Sequence, residues 1–179
     1  MIYFITGNKN KLAEVKAILP EVEQLDIDLP EIQEIDAKAI IKTKLQEALN
    51  HQKGEFIVED TSLYLECLNG LPGPLIKWFL KSIGNEGLTR IAEKLGNDKV
   101  VAKTFIGYAK SHEEIYFFEG AIAGKIVQQK GTSGFGWDAI FLPDGHSETF
   151  AEMNQRKKNK ISMRKIAVTR LKEFLRTRK

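Results

Sequence analysis

The chain has 179 residues, of which 42% are apolar and 28% are charged, a mixture typical of ordinary soluble globular proteins. That length suits one domain, which we predict over residues 1–179. No apolar run approaches the roughly 18 residues of a membrane helix, and the N-terminal "MIYFITGNKNK" lacks the features of a signal peptide. The lone Cys67 cannot form an internal disulfide, which favours a reducing cytoplasm.

Charge is distributed unevenly along the chain. Residues 154–179 contain 11 Lys and Arg but one acid, Glu173, so this tail carries +10. The other 153 residues carry −7, which gives the net charge of +3. A positive end and a negative body fit an anionic ligand beside a cation site, a nucleic-acid-binding surface, or simply a solvated basic helix.

Hydrophobic periodicity and turn residues predict alternating strands and helices. The first half predicts, in order, strand 2–6, helix 9–19 stopped by Pro20, strand 25–29, helix 36–50 capped by Asp36, strand 55–58 and strand 62–68. The second half predicts helix 74–83, helix 85–96, paired strands 100–109 and 114–127, strand 138–143 and an amphipathic helix 161–175. The mixture indicates an α/β fold in which helices cover a long, twisted, mixed sheet.

The segment "TGNKNK", residues 6–11, joins the first strand to the first helix. Gly7 permits an unusual backbone angle, Thr6 and Asn8 supply hydrogen bonds, and Lys9 and Lys11 add charge at a helix N-terminus. These features suit a triphosphate-binding loop, although the P-loop signature is absent. An ordinary strand-to-helix turn would explain them equally well.

Carboxylates follow two predicted strands. Glu31 comes after "DLP", while Glu59 and Asp60 come directly after "EFIV". Oxygen donors of this kind suit magnesium, which usually takes one or two carboxylates together with substrate phosphate. Most acids nearby are ordinary surface residues, and Glu59 is either a second metal ligand or only a polar neighbour.

Two later segments carry groups that could bind a base. In "SGFGWDAIF", Phe135 lies between Gly134 and Gly136, so its ring could stack on a nucleobase, and Asp138 could accept a hydrogen bond. Trp137 is explained somewhat better as a core aromatic residue. In "KKNKISMRK", residues 157–165, Arg164 could donate to a ligand carbonyl, although a solvated basic helix start explains this segment equally well.

Together these segments resemble the inosine triphosphate pyrophosphatase family. "TGNKNK" is similar to its phosphate motif, "VEDTSLYLECLNGLPGPLIKWFL" to its longest signature, "FGWDAIF" followed by "PDGHSETFAEM" to its base-binding loop, and "KNKISMR" to its last motif. The resemblance covers nearly the whole chain. It implies an elongated, two-lobed α/β protein with a central cleft, usually a homodimer, that needs magnesium and cleaves deaminated purine nucleoside triphosphates (ITP, dITP, XTP) into monophosphate and pyrophosphate.

The resemblance also implies roles for individual residues. Glu31 and Asp60 would bind magnesium, and Asp60 would also act as the general base. Substrate would be bound by the remaining matched positions, which are Thr6, Gly7, Asn8, Lys9, Asn10, Lys11, Lys44, Thr61, Phe135, Gly136, Trp137, Asp138, Lys158, Ser162, Met163 and Arg164. No membrane and no stable nucleic-acid partner are expected.

One position departs from the family's pattern. The last motif of the family typically reads Ser-His-Arg, whereas this chain has Ser162, Met163 and Arg164. Because methionine cannot donate a hydrogen bond, Arg164, with Lys158, would have to recognise the 6-oxo group of the purine without it. We therefore expect discrimination against ATP that is retained but weaker than with histidine.

Two other functions would account for parts of this sequence. A related septum-formation-inhibitor-type pyrophosphatase acts on other nucleotides, but "GLPGPLIKWF" and "FGWD" argue against it. A nucleic-acid-binding protein could use the basic tail, but Glu31 and Asp60 would repel phosphate unless a metal were bound.

Overall fold

Seven strands form one mixed sheet in the computed structural model, which describes residues 1–178. Lys179, the last residue of the predicted domain and of the basic tail, lies outside the described residues. The strands are β1 (Ile2–Ile5), β2 (Glu23–Leu25), β3 (Glu55–Leu65), β4 (Pro72–Gly73), β5 (Lys99–Ala109), β6 (Ile115–Ile126) and β7 (Phe141–Pro143). Their order is β2-β1-β3-β5-β6-β7, with β4 paired to β3. β1 is parallel to β2 and β3, whereas β4 is antiparallel to β3 and β7 to β6.

Six helices accompany this sheet in the described part of the chain, which confirms the predicted α/β class. They are α1 (Lys9–Lys16), α2 (Ala37–His51), α3 (Ile76–Ser82), α4 (Gly84–Lys94), α5 (Gln155–Ile161) and α6 (Met163–Thr177). Asp36 caps α2 as predicted, because its side chain accepts the Lys38 amide at 2.9 Å. None of the helices within residues 1–178 has the length and apolar character needed to cross a bilayer.

The structure groups into two compact units. Unit 1 comprises Met1–Thr61, Thr104–Gly120 and the chain from Met163 onward. Unit 2 comprises Ser62–Lys103 and Ala121–Ser162. A single domain over 1–179 remains a prediction.

The core of unit 1 lies between its strands and the helices α1 and α6. Its buried residues are Phe4, Val15, Leu19, Val22, Ile57, Ile106, Tyr108, Ala167, Val168 and Leu171. Strand β6 approaches α6 so closely that a Cβ built on Gly120 would lie 1.9 Å from the Met163 carbonyl oxygen. Only glycine fits there, and the main chain of α6 is thereby seated directly on β6.

An aromatic cluster marks the interior of unit 2. The rings of Phe141 and Phe150 meet edge to face at 4.9 Å, and Trp137 packs on both of them. Trp137 is only 6% exposed, so it serves as the core aromatic residue that the sequence favoured for it.

The predicted strand 25–29 was wrong, because β2 ends at Leu25. β2 pairs with β1 from Tyr3 opposite Glu23 to Ile5 opposite Leu25. Because β1 ends at Ile5, the later residues of "LDIDL" have no partner along that edge.

The strand interruption predicted at Glu59 and Asp60 was also wrong. β3 continues through both acids for 11 residues. β1 pairs with its first part, starting at Glu55, and β4 pairs with its second part at Leu63 and Tyr64. Backbone pairing on both sides of the acids keeps the strand extended, and the segment Glu66–Leu68 then turns as a short 3₁₀ helix.

Three smaller predictions also need correction. α3 begins at Ile76 and not at Pro74, because Pro72 and Gly73 pair with β3. The strand predicted over 138–143 begins with a 3₁₀ turn and extends only from Phe141. The sequence reading missed α5, which Asn154 caps by accepting the Lys157 amide at 2.8 Å. Ile161 therefore ends α5, and α6 begins after Ser162.

Candidate active site

The loop "TGNKNK" forms the start of α1 through its own side chains. Asn8 caps the helix, because its Oδ1 accepts the amides of Asn10 and Lys11 at 3.0 and 3.1 Å. Thr6 Oγ1 accepts the Asn8 amide at 3.0 Å. The side chains of Lys9 and Asn10 are exposed. The loop is therefore preorganised, and the lysine ammonium groups are its principal positive charges.

The unusual backbone angle predicted at Gly7 is absent, because its φ is not positive. Space limits this position instead. A Cβ built on Gly7 would lie 3.2 Å from Asp26 Oδ1, so a larger residue would displace the neighbouring carboxylate.

A buried group of alternating charges in unit 1 surrounds Glu59. Its Oε2 accepts Arg164 Nε at 2.7 Å, and its Oε1 accepts Arg164 Nη2 at 2.9 Å. Lys11 Nζ lies 3.0 Å from Oε1 of the same carboxylate. Arg164 Nη1 also donates to Glu14, and Arg164 Nη2 donates to Thr61 Oγ1 at 3.3 Å. We call these five side chains the charge cluster.

The charge cluster controls the ionisation of its members. Burial by itself would raise the pKa of Glu59, but the Arg164 and Lys11 charges outweigh burial and lower that pKa to about 2. Burial would likewise lower the pKa of Arg164, but Glu59 and Glu14 raise it above its ordinary value. Both groups are therefore charged throughout the physiological range of pH.

Glu59 and Asp60 point to opposite faces of β3, because successive side chains of a strand alternate. Glu59 shares its face with Thr61, whose hydroxyl contacts the Thr104 hydroxyl at 3.0 Å. Asp60 is half-buried on the other face. The two adjacent acids thus have separate environments, and Glu59 is ion-paired with Arg164 and Lys11.

Glu31 and Lys44 form an ion pair, with Glu31 Oε2 accepting from Lys44 Nζ. The Glu31 side chain is 43% exposed. The sequence assigned metal binding to Glu31 and phosphate binding to Lys44, and the structure places these two groups in direct contact. An incoming anion could replace Glu31 as the partner of Lys44, and an incoming cation could replace Lys44 as the partner of Glu31.

Magnesium binding depends on the oxygen donors that the site offers. Within residues 1–178, there is no group of three or more His, Cys, Asp and Glu side chains that could hold a metal ion without other ligands. Glu31 and Asp60 are nevertheless carboxylates, the donor type that magnesium takes in ones and twos when substrate phosphate supplies further oxygens. The residues therefore fit an ion bound together with substrate and do not fit a resident ion held by protein alone.

In unit 2, Asp138 organises the glycine-flanked loop that carries Phe135. Its Oδ2 accepts the Phe135 amide at 2.9 Å and Lys158 Nζ at 2.6 Å. The Lys158 ammonium also lies 4.6 Å from the Phe135 ring centroid and 5.4 Å from that of Phe150. Gly134 and Gly136 take positive φ, and a Cβ on Gly134 would clash with Asp138 at 2.3 Å. The loop conformation therefore requires these glycines.

The final three residues of the last motif are buried. Ser162, Met163 and Arg164 are 1–2% exposed. Neither the Met163 side chain nor the Ser162 side chain is part of an exposed basic helix start, so that alternative explanation of the segment was wrong for these positions.

Sequence reasoning missed two residues that support the site. Glu14 belongs to the charge cluster, and its position three residues after Lys11 on α1 placed it on the same helix face. Asn85 donates from Nδ2 to the Gly136 carbonyl at 3.0 Å and so ties α4 to the Phe135 loop. Nothing in the sequence near Asn85 indicates that contact, which joins positions 51 residues apart.

Comparison with known proteins places the chain among relatives of matching length. The model of the Ham1 family matches residues 2–174. The inosine triphosphate pyrophosphatase of Schizosaccharomyces pombe is 43% identical, with 99% of this chain and 96% of the relative covered. The protein of the same name in Saccharomyces cerevisiae is 44% identical, with 97% and 95% covered.

Solved structures agree on the fold. The Staphylococcus aureus Ham1 protein superposes with a TM-score of 0.84 at 25% identity over the full length of both chains. A HAM1 protein from Coxiella burnetii gives 0.87 at 22% identity over 98% of each chain, which supports the fold alone. Taken with the family model, these matches establish that the chain belongs to the Ham1 family.

Proposed function

We propose that this protein hydrolyses inosine triphosphate and other deaminated purine nucleoside triphosphates, such as dITP and XTP, to the monophosphate and pyrophosphate. The observation that carries the proposal is the identity of 43% and 44%, over 97% or more of this chain, to two inosine triphosphate pyrophosphatases. The protein would thereby remove non-standard nucleotides from the nucleotide pool.

The acid–base chemistry is assigned to Asp60. Its half-buried carboxylate, held on a continuous strand, would take a proton from the attacking water as the water oxygen bonds to phosphorus. The bond between the α and β phosphates then breaks, and pyrophosphate leaves. Lys11 and Lys44 would neutralise the negative charge of the triphosphate, since displacement at phosphorus depends mainly on positioning and charge neutralisation. Thr6, Asn8 and the neighbouring loop residues would shape that end of the site.

Glu31 and Asp60 would hold magnesium together with substrate phosphate oxygens. When bound, magnesium would neutralise charge on the phosphates and polarise the phosphoryl oxygens. Glu31 would have to exchange its Lys44 partner for the ion, and this exchange would release the Lys44 ammonium for the phosphates.

Base recognition is assigned to the Phe135 loop and to Arg164. Phe135 would stack on the purine, an interaction worth roughly 1–3 kcal/mol per base. Asp138 and Lys158 would fix the loop, with Gly136 and Trp137 shaping the pocket. Arg164 would donate to the 6-oxo group, which adenine lacks, so ATP would place an amine opposite a donor. Because methionine has no hydrogen-bond donor, position 163 would add no second donor to this recognition.

The assignment of Asp60 is tested with Asp60→Asn, assayed for pyrophosphate release from ITP with magnesium and with a chelator. We expect the variant to remain folded and to lose at least about a hundredfold in kcat, within the range expected for general acid–base catalysis. Glu55→Gln on the same strand is the matched control, since Glu55 pairs with Tyr108 outside the proposed site. Near-normal turnover by Asp60→Asn, or turnover that is unaffected by the chelator, would contradict the assignment.

Two further properties are part of the proposal. A homodimer is expected from the family resemblance. Light scattering in solution tests it, and a monomer at assay concentration would count against it.

A reducing cytoplasm suits the single Cys67, whose pKa is raised by burial. Fractionation of cells expressing the tagged protein tests that location.

A further inference from the structure

Glu59 touches both Arg164 and Lys11, a lysine of the loop over residues 6–11. Its carboxylate accepts two hydrogen bonds from Arg164, one on each oxygen, and forms an ion pair with Lys11. The Glu59 and Arg164 side chains are each 2% exposed. A pair of hydrogen bonds between a guanidinium and a carboxylate fixes both the position and the orientation of the two side chains, because both groups are planar.

The donors of Arg164 are almost fully occupied within unit 1. Glu59 takes two hydrogen bonds, Glu14 takes one and Thr61 takes one. A guanidinium has five N–H donors, so at most one remains for a ligand. A long side chain that could otherwise sample many rotamers is therefore restricted to one orientation before substrate arrives.

The charges within the cluster balance. Two carboxylates, Glu14 and Glu59, face two cations, Lys11 and Arg164. Removing either acid would leave the buried Arg164 guanidinium with too little negative charge beside it, and an unbalanced charge is costly in a low-dielectric interior. The cation that loses its partner would then move toward water or toward any other acid within reach.

We propose that Glu59 is a positioning residue that fixes Arg164 and Lys11 together, so that recognition of the base and recognition of the phosphates depend on one carboxylate. This proposal rests on the proposed function, in which Arg164 contacts the base and Lys11 the phosphates. Glu59 itself does not touch substrate. It acts by holding one donor of Arg164 and the ammonium of Lys11 where a nucleotide needs them.

A metal-ligand role for Glu59 does not fit the same contacts. Both of its oxygens already accept from cations. Its side chain also lies on the face of β3 opposite to that of Asp60. Binding a metal would require Glu59 to leave Arg164 unpaired inside the protein, which is unfavourable.

The test uses Glu59→Asp and Glu59→Gln, with Glu55→Gln as the matched control on the same face of β3. Glu59→Asp keeps the charge but shortens the side chain by one methylene, so it should fold and yet displace both cations. We expect the ratio of kcat/KM for ITP to that for ATP to fall about tenfold or more, the effect of losing one well-placed hydrogen bond to a charged group. The control should keep the wild-type ratio.

A second readout isolates the phosphate end of the site. Pyrophosphate, which has no base, serves as a competitive inhibitor, and its inhibition constant should rise severalfold in both Glu59 variants because Lys11 is displaced. A purely structural role would reduce the folded fraction and lower kcat equally for both nucleotides. It would leave the ITP-to-ATP ratio and the inhibition constant unchanged.

The outcomes separate the two proposals. A wild-type protein that releases no pyrophosphate from ITP overturns the proposed function and this inference with it. Wild-type hydrolysis combined with an unchanged ratio and an unchanged inhibition constant in Glu59→Asp overturns only this inference. If neither Glu59 variant folds while Glu55→Gln does, Glu59 serves stability and the inference is likewise overturned.

Discussion

The buried pair of Lys158 and Asp138 provides a sharp quantitative prediction. Their side chains are 4% and 5% exposed, and the ammonium and carboxylate are 2.6 Å apart. We consider Lys158→Met, Asp138→Asn and the double variant. The two single variants leave different groups behind, so their costs should differ.

Lys158→Met leaves the Asp138 carboxylate buried with the Phe135 amide as its remaining donor. Removing one partner of a buried ion pair typically costs about 3–5 kcal/mol. Asp138→Asn should cost less, about 2 kcal/mol, because the amide oxygen can still accept from Lys158 and from the Phe135 amide. The Phe135 and Phe150 rings near the ammonium would further compensate the lysine charge.

The double variant removes both charges, so its cost should be below the sum of the single costs by about 2 kcal/mol. Urea unfolding followed by tryptophan fluorescence and circular dichroism measures all four proteins. Trp137 packs beside Phe150 in the same unit, so its emission reports on this region. Equal costs for the two single variants, or a double variant whose cost equals their sum, would refute the reasoning.

Three further predictions concern single positions. Gly120→Ala should destabilise the protein by about 1–3 kcal/mol or more, because its Cβ would overlap the Met163 carbonyl, and a lowered urea midpoint would show it. Asn85→Ala should raise KM for ITP by about threefold to tenfold with little change in kcat, since the hydrogen bond to the Gly136 carbonyl is lost, and an unchanged KM would disprove a positioning role. The pKa of Glu59 is about 2 in the fold against an ordinary 4.5, so its contribution to stability is complete above about pH 4.5 and is lost as pH falls toward 2. Unfolding free energies measured across that range should fall less steeply for Glu59→Gln than for the wild type.

Local signals in the sequence predicted much of the fold correctly. The Asp36 cap, the helical spacing after Gly7 and the paired strands β5 and β6 all depend on residues close together in the chain. The cap at Asn154 is an equally local signal and could have revealed α5. Such features follow from short-range hydrogen bonds and periodicity.

The errors at β2 and β3 came from long-range pairing. The end of β2 is set by where β1 ends, and the continuity of β3 depends on its partner strands β1, β4 and β5, so neither could be read from the segment itself. The same holds for the site. Glu59 meets Arg164 across 105 positions, and no pattern near Glu59 distinguishes an ion-pair partner from a metal ligand.

Motif order identified the family, but the environments of the motif residues required the structure. Asp60 and Glu59 are neighbours in sequence with opposite orientations on β3. Trp137 and Asp138 are also neighbours, yet one packs in an aromatic core and the other holds a charged lysine. The sequence motifs indicated that all four residues belong to the site. They could not show that the two residues of each neighbouring pair make different contacts.

The most direct test of the central claim is the product ratio from ITP in the presence of magnesium, with pyrophosphate, phosphate and inosine monophosphate measured separately and ATP run in parallel. We predict one pyrophosphate per inosine monophosphate, no release of phosphate, and a kcat/KM for ATP at least about a hundredfold lower. Release of phosphate from ITP, or equal turnover of ITP and ATP, would contradict the account.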